Sequence, residues 1–373
     1  MPLLVFLLFA FAASAKASNG SGDPSDYRLW LTAQIQVPRH ADTAASSILA
    51  VVWQHQQCAR DAACHVRVVE SEAAKLAHAK AAGDPALLAL LAGAEDPTLD
   101  SSRRANRWRE LAKMDVRNSY PSLVLAGIRW QRDERTLALS SLRQSIARPR
   151  FDDYYSTMFF SVKQSFDGHP PGLTELAPCA LAGEAAPASI DETGRSLAAI
   201  NDLLGSIGFT QLTSILAMCK TTTDPIDRER RALCDSIGAK MDAQATTSLS
   251  QNIGLALRRF STGDADLQAR YTQQQHDNLD DLQGSLWWIE SAQSAVRREA
   301  TALWLGEFAR AGELAGAAML RKQYGDSPEP RAKREANWRK RLAEGQACYA
   351  KRIKTEESLS KESSSRTAAG AHP

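Results

Sequence analysis

Apolar residues recur along this chain at the spacing of a helix, between short breaks of Asp, Gly and Pro. A representative stripe runs from 249 to 260 and consists of Leu249, Ile253, Leu257 and Phe260. Residues three and four positions apart lie on one face of a helix, so this stripe predicts an amphipathic α-helix. The break that follows, Gly263-Asp264, predicts where that helix ends.

Similar stripes recur along most of the chain, whereas strand signals are limited to Val66–Val69 and Met158–Val162. Both runs are short and are also compatible with a helix. We therefore predict an all-α fold rather than a mixed α/β domain. Helices of about 15–20 residues that alternate with tight breaks are typical of an array of antiparallel helix pairs, either an α-solenoid or a two-lobed helical repeat.

The overall composition excludes several classes of protein. Of the 373 residues, 44% are hydrophobic and 24% are charged, which is ordinary for a globular protein and argues against wholesale disorder or a collagen-like chain. The 45 Lys and Arg residues and 43 Asp and Glu residues give a formal net charge of +2. Dedicated nucleic-acid binders carry a strong basic excess, so no nucleic-acid partner is predicted.

The first 15 residues, MPLLVFLLFAFAASA, have the pattern of a secretory signal peptide. The apolar run Leu3–Phe11 is shorter than the roughly 20 residues that a membrane-spanning helix needs. It is followed by Ala13-Ser14-Ala15, which fits a cleavage site after Ala15, with Ala15-Lys16-Ala17 as a second candidate. A periplasmic or secreted protein is predicted; the alternative is a short buried N-terminal helix.

The breaks divide the chain into six predicted segments. They are a signal peptide over 1–15, a flexible mature N-terminus over 16–26, a helical lobe over 27–147, an aromatic and Pro-rich connection over 148–195, a second helical lobe over 196–356 that ends in a basic helix, and a disordered tail over 357–373.

Six cysteines agree with export, because an oxidising compartment favours disulfides. Cys219 ends one helical pattern and Cys234 opens the next, which predicts a bridge between two helices. The other predicted pairs are Cys58 with Cys64, across a turn, and Cys179 with Cys348, by elimination. Six cysteines allow fifteen pairings, so the scheme is a hypothesis. The alternative, a zinc site, lacks any CxxC or His/Cys ligand spacing, and no metal is predicted.

Residues 114–146 have Asp115 and Asn118 before a first predicted helix, Tyr120 and Leu123 within it, the small pair Ala126-Gly127, and Ala138 and Leu142 on a second helix. This arrangement resembles a tetratricopeptide repeat. A second unit over 248–267 has a similar Leu, Gly-x-Ala and Gly-Asp arrangement. The resemblance implies a right-handed helical superstructure whose concave face binds protein or peptide, and it implies no catalytic residues.

The connecting segment contains a run of aromatic residues: Phe151, Tyr154, Tyr155, Phe159 and Phe160. One interpretation is a contact surface for a partner or carbohydrate, with Phe151, Tyr154 and Tyr155 as its candidate residues. The other interpretation is that these rings fill the core between helix pairs.

A basic tract near the C-terminus supplies the second set of candidate partner-binding residues: Arg334, Trp338, Arg339 and Lys340. A basic helix with Trp at its boundary could make weak contact with an anionic envelope surface. The alternative is a solvated outer helix whose Trp338 and Leu342 pack inward.

Motifs that carry chemistry are missing from the sequence. It contains no HExxH, GxSxG, P-loop or GxGxxG, so no catalytic residue and no cofactor are predicted. The acidic cluster Asp277, Asp280 and Asp281 lacks the residue order of a calcium loop and is interpreted as helix capping or a solvated face.

These features predict an exported adaptor or binding scaffold that performs no covalent chemistry. The alternative is a cell-envelope hydrolase whose site lies between the two helical lobes, near residues 150–195. A third possibility is a purely structural protein that forms oligomers through its helical faces, and the sequence leaves the oligomeric state open.

Overall fold

A computed structural model describes residues 44–57, 62–94, 101–166, 200, 204, 211–220, 228–290, 294–337, 339–340 and 343. All regular secondary structure in these residues is α-helix, apart from one isolated bridge between Asn118 and Arg150. The all-α prediction is therefore confirmed. Both runs that carried a strand signal, Val66–Val69 and Met158–Val162, lie within helices.

We number the helices in chain order. They are α1 (Ala44–Gln57), α2 (Ala62–Glu70), α3 (Glu72–Ala81), α4 (Pro85–Ala94), α5 (Ser101–Met114), α6 (Ser119–Gln131), α7 (Arg135–Ala147), α8 (Tyr155–Phe166), α9 (211–219), α10 (Arg228–Gln244), α11 (Ser248–Ser261), α12 (Ala265–Glu290), α13 (Ser294–Ala311), α14 (Glu313–Tyr324) and α15 (331–337).

The polar residues in the breaks act as helix caps. The side chain of Asn118 accepts a hydrogen bond from the Tyr120 backbone N–H (3.1 Å), at the start of α6. Thr247 caps α11 in the same way through the Ser250 N–H (3.2 Å). Such caps satisfy backbone donors that have no partner within the helix, so they define where each helix begins.

The helices pack largely in chain order around one hydrophobic core. Helix α5 packs on α6, α6 on α7, α7 on α10, α10 on α11, α11 on α12, and α12 on both α13 and α14. Helix α8 leaves this series and packs against α1, α4 and α13. Buried residues from Ile48 to Leu320 form a single cluster, so both predicted lobes contribute to the same core.

Glycines allow close helix contacts, two of which join α10 to α11 and α6 to α9. A Cβ atom on Gly254 would lie 2.7 Å from the carbonyl oxygen of Gly238, and a Cβ on Gly238 would meet the Gly254 carbonyl at the same distance. Helices α10 and α11 therefore contact each other through their backbones. Gly127 of α6 faces Ser214 of α9, whose Oγ would lie 2.2 Å from an added Cβ.

The predicted disulfide between Cys219 and Cys234 is confirmed. The two Sγ atoms are 2.03 Å apart, the Cα atoms are 5.9 Å apart, and both residues are buried between α9 and α10. A bridge across about 15 residues stabilises a fold by roughly 3 kcal/mol in the chain-entropy account. Cys58, Cys179, Cys348 and the side chain of Cys64 lie outside the described residues, so the other two pairings stay predictions.

The predicted signal peptide (1–15), flexible N-terminus (16–26) and C-terminal tail (357–373) also lie outside the described residues. Among the helices that the structure describes, none is both long enough and apolar enough to cross a membrane.

Candidate functional site

The aromatic run of the connecting segment lies largely in the core. Phe151 and Tyr154 are each 4% exposed, and both rings pack edge-on against Tyr120, at centroid distances of 6.0 and 5.9 Å. Tyr155 is half-buried and stacks on Phe308 at 6.1 Å. A partner could reach Phe151 or Tyr154 only after displacing the residues that cover them, so their placement favours the core-filling interpretation.

The backbone around these aromatics, residues 148–155, forms a polar junction between the helices. Its first member, Arg148, is 7% exposed and directs its guanidinium at the end of α5. It donates hydrogen bonds to the carbonyl oxygens of Ala112 (2.6 Å), Asn118 (2.8 Å) and Asp115 (3.1 Å). One buried cation therefore holds the end of α5 and the start of α6 together.

Asn118 fastens the junction to the start of α6. Beyond capping the helix, its side chain accepts from the Asp152 N–H (3.0 Å) and donates to the Asp152 carbonyl (2.8 Å). The backbone adds a bond from the Ser119 N–H to the Arg150 carbonyl (2.8 Å). The two segments are thus paired like a very short piece of sheet.

Helix α10 closes the junction from its other side with two long side chains. The Lys240 ammonium donates to the carbonyl oxygens of Ile146 (2.6 Å) and Arg148. It therefore caps the end of α7. Burial lowers the pKa of Lys240. The Gln244 side chain accepts from the Phe151 N–H (2.8 Å). The first predicted lobe is therefore bonded directly to the second.

Two carboxylates, the buried Asp153 and the partly buried Glu313, hold the start of α11. Asp153 accepts hydrogen bonds from the hydroxyls of Thr247 (2.8 Å) and Ser250 (2.5 Å). Glu313, in the first turn of α14, accepts from the backbone N–H (2.8 Å) and the hydroxyl (2.9 Å) of Ser248. Both carboxylates lie where the positive end of the α11 dipole favours negative charge.

Burial is the main cause that raises the pKa of Glu313, and the negative charge of Asp153 adds to it, while the two hydrogen bonds from Ser248 oppose the rise. A carboxyl whose pKa is higher in the folded state contributes stability that is fully present below its unfolded pKa, near 4.5. That contribution is lost as the pH rises through the folded pKa.

Glu313→Gln removes the titratable carboxyl but keeps an acceptor. We therefore expect its free energy of unfolding to rise relative to that of the native chain as the pH rises above about 4.5. Urea unfolding at several pH values between 4.5 and 8 measures this difference. The control is Glu307→Gln, because the hydrogen-bonded ion pair with Arg310 lowers the pKa of the partly buried Glu307. Its difference should stay nearly constant from about pH 5.5 upward, and a difference for Glu313→Gln that is equally constant there would contradict the burial argument.

The predicted basic tract meets the acidic cluster of α12. Arg334 binds Asp280 (2.7 Å), and Arg331 binds Asp277 (3.2 Å). Asp281 is bound by Arg321 of α14 (3.0 Å). The acidic residues are therefore neither caps nor a purely solvated face, because they join α12 to α14 and α15 through ion pairs.

A polar cleft of about 350 Å³ lies among these ion pairs, lined by Asp280, Arg321, Arg331 and Arg334 together with the turn 326–330. Each of the lining arginines already has a carboxylate partner. The cleft can therefore accept hydrogen bonds and donate them, but it carries no strong excess of either charge.

The remaining predicted residues of the basic tract lie on the outside. Arg339 is exposed and pairs with Glu335 one turn earlier, and Lys340 is exposed as well. Trp338 lies outside the described residues, so its predicted position at a boundary stays a prediction. Within the described ranges no group of three or more His, Cys, Asp and Glu side chains has the arrangement of a metal site.

Sequence reasoning missed the polar side chains that organise the junction. A signal for Arg148 exists, because a cation just before Pro149 at a helix end can bind the last free carbonyls. Lys240 adjoins Met241 on the apolar stripe of α10, where a charge is unexpected. Asp153 carries no comparable local signal, because its partners Thr247 and Ser250 are about a hundred positions away.

Comparison of the chain with protein-family models, with curated proteins and with solved structures finds no match.

Proposed function

We propose that this protein is exported to the periplasm or secreted, and that it acts there as a scaffold that binds a protein partner without covalent chemistry. The observation that carries the proposal is the series in which α5 packs on α6, α6 on α7, α7 on α10, α10 on α11 and α11 on α12. Proteins built in this way expose an extended face, since each unit uses only its neighbours for its core.

The arrangement that we propose is an array of antiparallel, tetratricopeptide-like helix pairs. Its first unit would be α6 and α7, joined by the short turn 132–134, with Ala138 and Leu142 buried on the second helix. Two glycines support this stacking of helix pairs, because Gly127 and Gly254 each lie in close contact with a helix outside their own predicted unit.

The alternative, a cell-envelope hydrolase with a site between the two lobes near residues 150–195, has less support among the residues that the structure describes. Two carboxylates, Asp153 and Glu313, do converge in that region. Both accept hydrogen bonds from the chain's own hydroxyl and backbone donors at the start of α11. Their contacts are those of caps, which explains their burial without a substrate.

The disulfide is the support for export. A bridge buried between α9 and α10 is typical of proteins that fold in an oxidising compartment.

Site-specific photocrosslinking in the native compartment tests the proposal. A photoreactive amino acid would replace Val116, just before α6, or Leu137, in the first turn of α7. These residues are 63% and 49% exposed. The control position is Gln268, an exposed polar residue of α12. We expect one adduct of defined mass from at least one apolar position and none from Gln268, with the partner identified by mass spectrometry.

Adducts that contain only a second copy of this chain would favour the structural oligomer instead. Adducts that form equally from all three positions, or from none, would contradict a specific protein-binding face.

A further inference from the structure

We propose that the end of the array formed by α5, α6 and α7 carries a docking surface for an acidic segment of the partner protein. The surface consists of Arg109, Arg129, Arg132 and Arg135, which we call the arginine face. The inference rests on the proposed function, from which it takes a protein as the partner. It adds the surface at which that partner binds and the acidic chemistry of the segment that binds there.

The charge of this region is hidden in the composition of the whole chain. Residues 101–143 contain nine Arg and one Lys against four Asp and Glu, a net charge of +6, whereas the full sequence has a net charge of +2. Nine of those ten cations are arginine. Its planar guanidinium binds carboxylates through two parallel hydrogen bonds, which the lysine ammonium cannot do.

Trp130 at the end of α6 organises the arginine face. The Arg135 guanidinium lies 3.7 Å from the centroid of the Trp130 ring, and the buried Arg230 of α10 lies over the same ring at 4.6 Å. Contact with an aromatic face attracts a cation and limits its motion. Arg129 is held by the Leu137 carbonyl (3.3 Å) and the Ser141 hydroxyl (2.5 Å). The guanidiniums are therefore largely ordered before a partner binds.

The positive charge of the face is only partly compensated. Arg132 pairs with Glu134 (2.9 Å) and Arg135 with Asp133 (2.6 Å). Among the described residues no carboxylate lies within ion-pair distance of Arg109 or Arg129. Burial lowers the pKa of Arg129, and so do the positive charges of Arg109 and Arg132, while the negative charge of Glu134 opposes the shift. Arg109 and Arg132 therefore lie close enough to Arg129 to repel it.

An acidic protein segment fits this face better than a membrane or a nucleic acid. Trp130 is half-buried beneath two guanidiniums, so its ring is not free to enter a bilayer. Leu137 is 49% exposed beside the arginines, and a mixture of arginine with an apolar anchor is typical of protein interfaces. Carboxylates on the partner would complete the bidentate pairs that Arg109 and Arg129 lack among the described residues.

Fluorescence anisotropy with the full, oxidised chain tests the docking surface. The probe is a fluorescein-labelled 12-residue peptide of Glu and Leu, and a peptide of Gln and Leu serves as its uncharged control. We expect saturable one-to-one binding of the acidic peptide in about 50 mM NaCl, weaker binding in about 150 mM NaCl, and no binding of the control.

Arg109→Gln with Arg135→Gln should weaken binding about tenfold or more, since both side chains are exposed members of the face. The matched control is Lys333→Gln with Arg339→Gln, which removes the same charge from exposed positions of the C-terminal basic tract. It should change the affinity by less than about twofold, because those residues lie outside the face. Equal losses in the two variants would mean that net charge alone attracts the peptide, which would overturn the proposal.

Absence of binding in about 50 mM NaCl, or tighter binding to anionic lipid vesicles or an oligonucleotide than to the peptide, would also overturn it. The double arginine variant separates this inference from the scaffold proposal. If the photocrosslinked adduct persists in that variant, the scaffold proposal stands and the docking surface is wrong. If the peptide binds as expected but no adduct forms in cells, the docking surface stands and the scaffold proposal is wrong.

Discussion

Replacing Arg148 by Met should lower the free energy of unfolding by about 3 kcal/mol. The guanidinium is almost entirely buried and donates to three backbone carbonyls at the end of α5 and the start of α6. Met keeps the length of the side chain but offers no donor. Because charge-assisted bonds to buried carbonyls are lost without replacement by water, the cost exceeds that of a surface ion pair.

Urea unfolding with the disulfide intact measures this change, and Arg143→Met is the matched control. Arg143 is 50% exposed and pairs with Glu229 on the surface. Exposed pairs contribute about 0–1 kcal/mol, so the control should change the unfolding free energy by no more than that. Equal effects of the two substitutions would contradict the role given to Arg148. A loss confined to Arg148→Met would show that the junction is held by its cation.

Replacing Phe159 by Ala should lower the free energy of unfolding by about 3–5 kcal/mol. Phe159 is fully buried in α8, and its ring centroid lies 4.6 Å from that of Phe308 and 6.2 Å from that of Trp304, both in α13. Truncation to Ala removes these contacts and leaves a cavity where α8 packs against α13.

Phe160→Ala provides the control at the next position. Phe160 is only partly buried but packs against the same Phe308 ring, at 5.3 Å. Its truncation should cost about 1–2 kcal/mol, because less of its surface leaves water when the chain folds. A larger effect at Phe160 than at Phe159 would contradict the burial pattern. If the aromatic run instead contacted a partner, Phe159→Ala would weaken partner binding without loss of stability.

The local features of the fold could be predicted from residue spacing. Ile253 and Leu257 are buried on α11, as their spacing requires, and Gly263-Asp264 separates α11 from α12. The bridge between Cys219 and Cys234 could also be predicted, because those two cysteines end one helical pattern and open the next. In each case the informative residues lie within about twenty positions of one another, so no knowledge of distant contacts was needed.

The candidate sites depend on contacts between distant parts of the chain. Arg334 and Asp280 are 54 positions apart, and nothing in either local pattern indicates that they pair. Asp153 and Ser250 are 97 positions apart. The arginine face had a signal in the sequence, the excess of arginine over 101–143, but a net charge taken over the whole chain conceals it.

Helix type, helix ends and one disulfide follow from short-range spacing, because backbone hydrogen bonds and side-chain periodicity within a helix are local. Which polar side chains become buried is a different matter, because burial depends on which helices meet. Tertiary packing placed Phe151 and Tyr154 in the core, made Arg148 a buried donor, and left Arg135 exposed over Trp130. A charged residue binds its own chain or remains available to a partner according to the neighbours that folding brings to it.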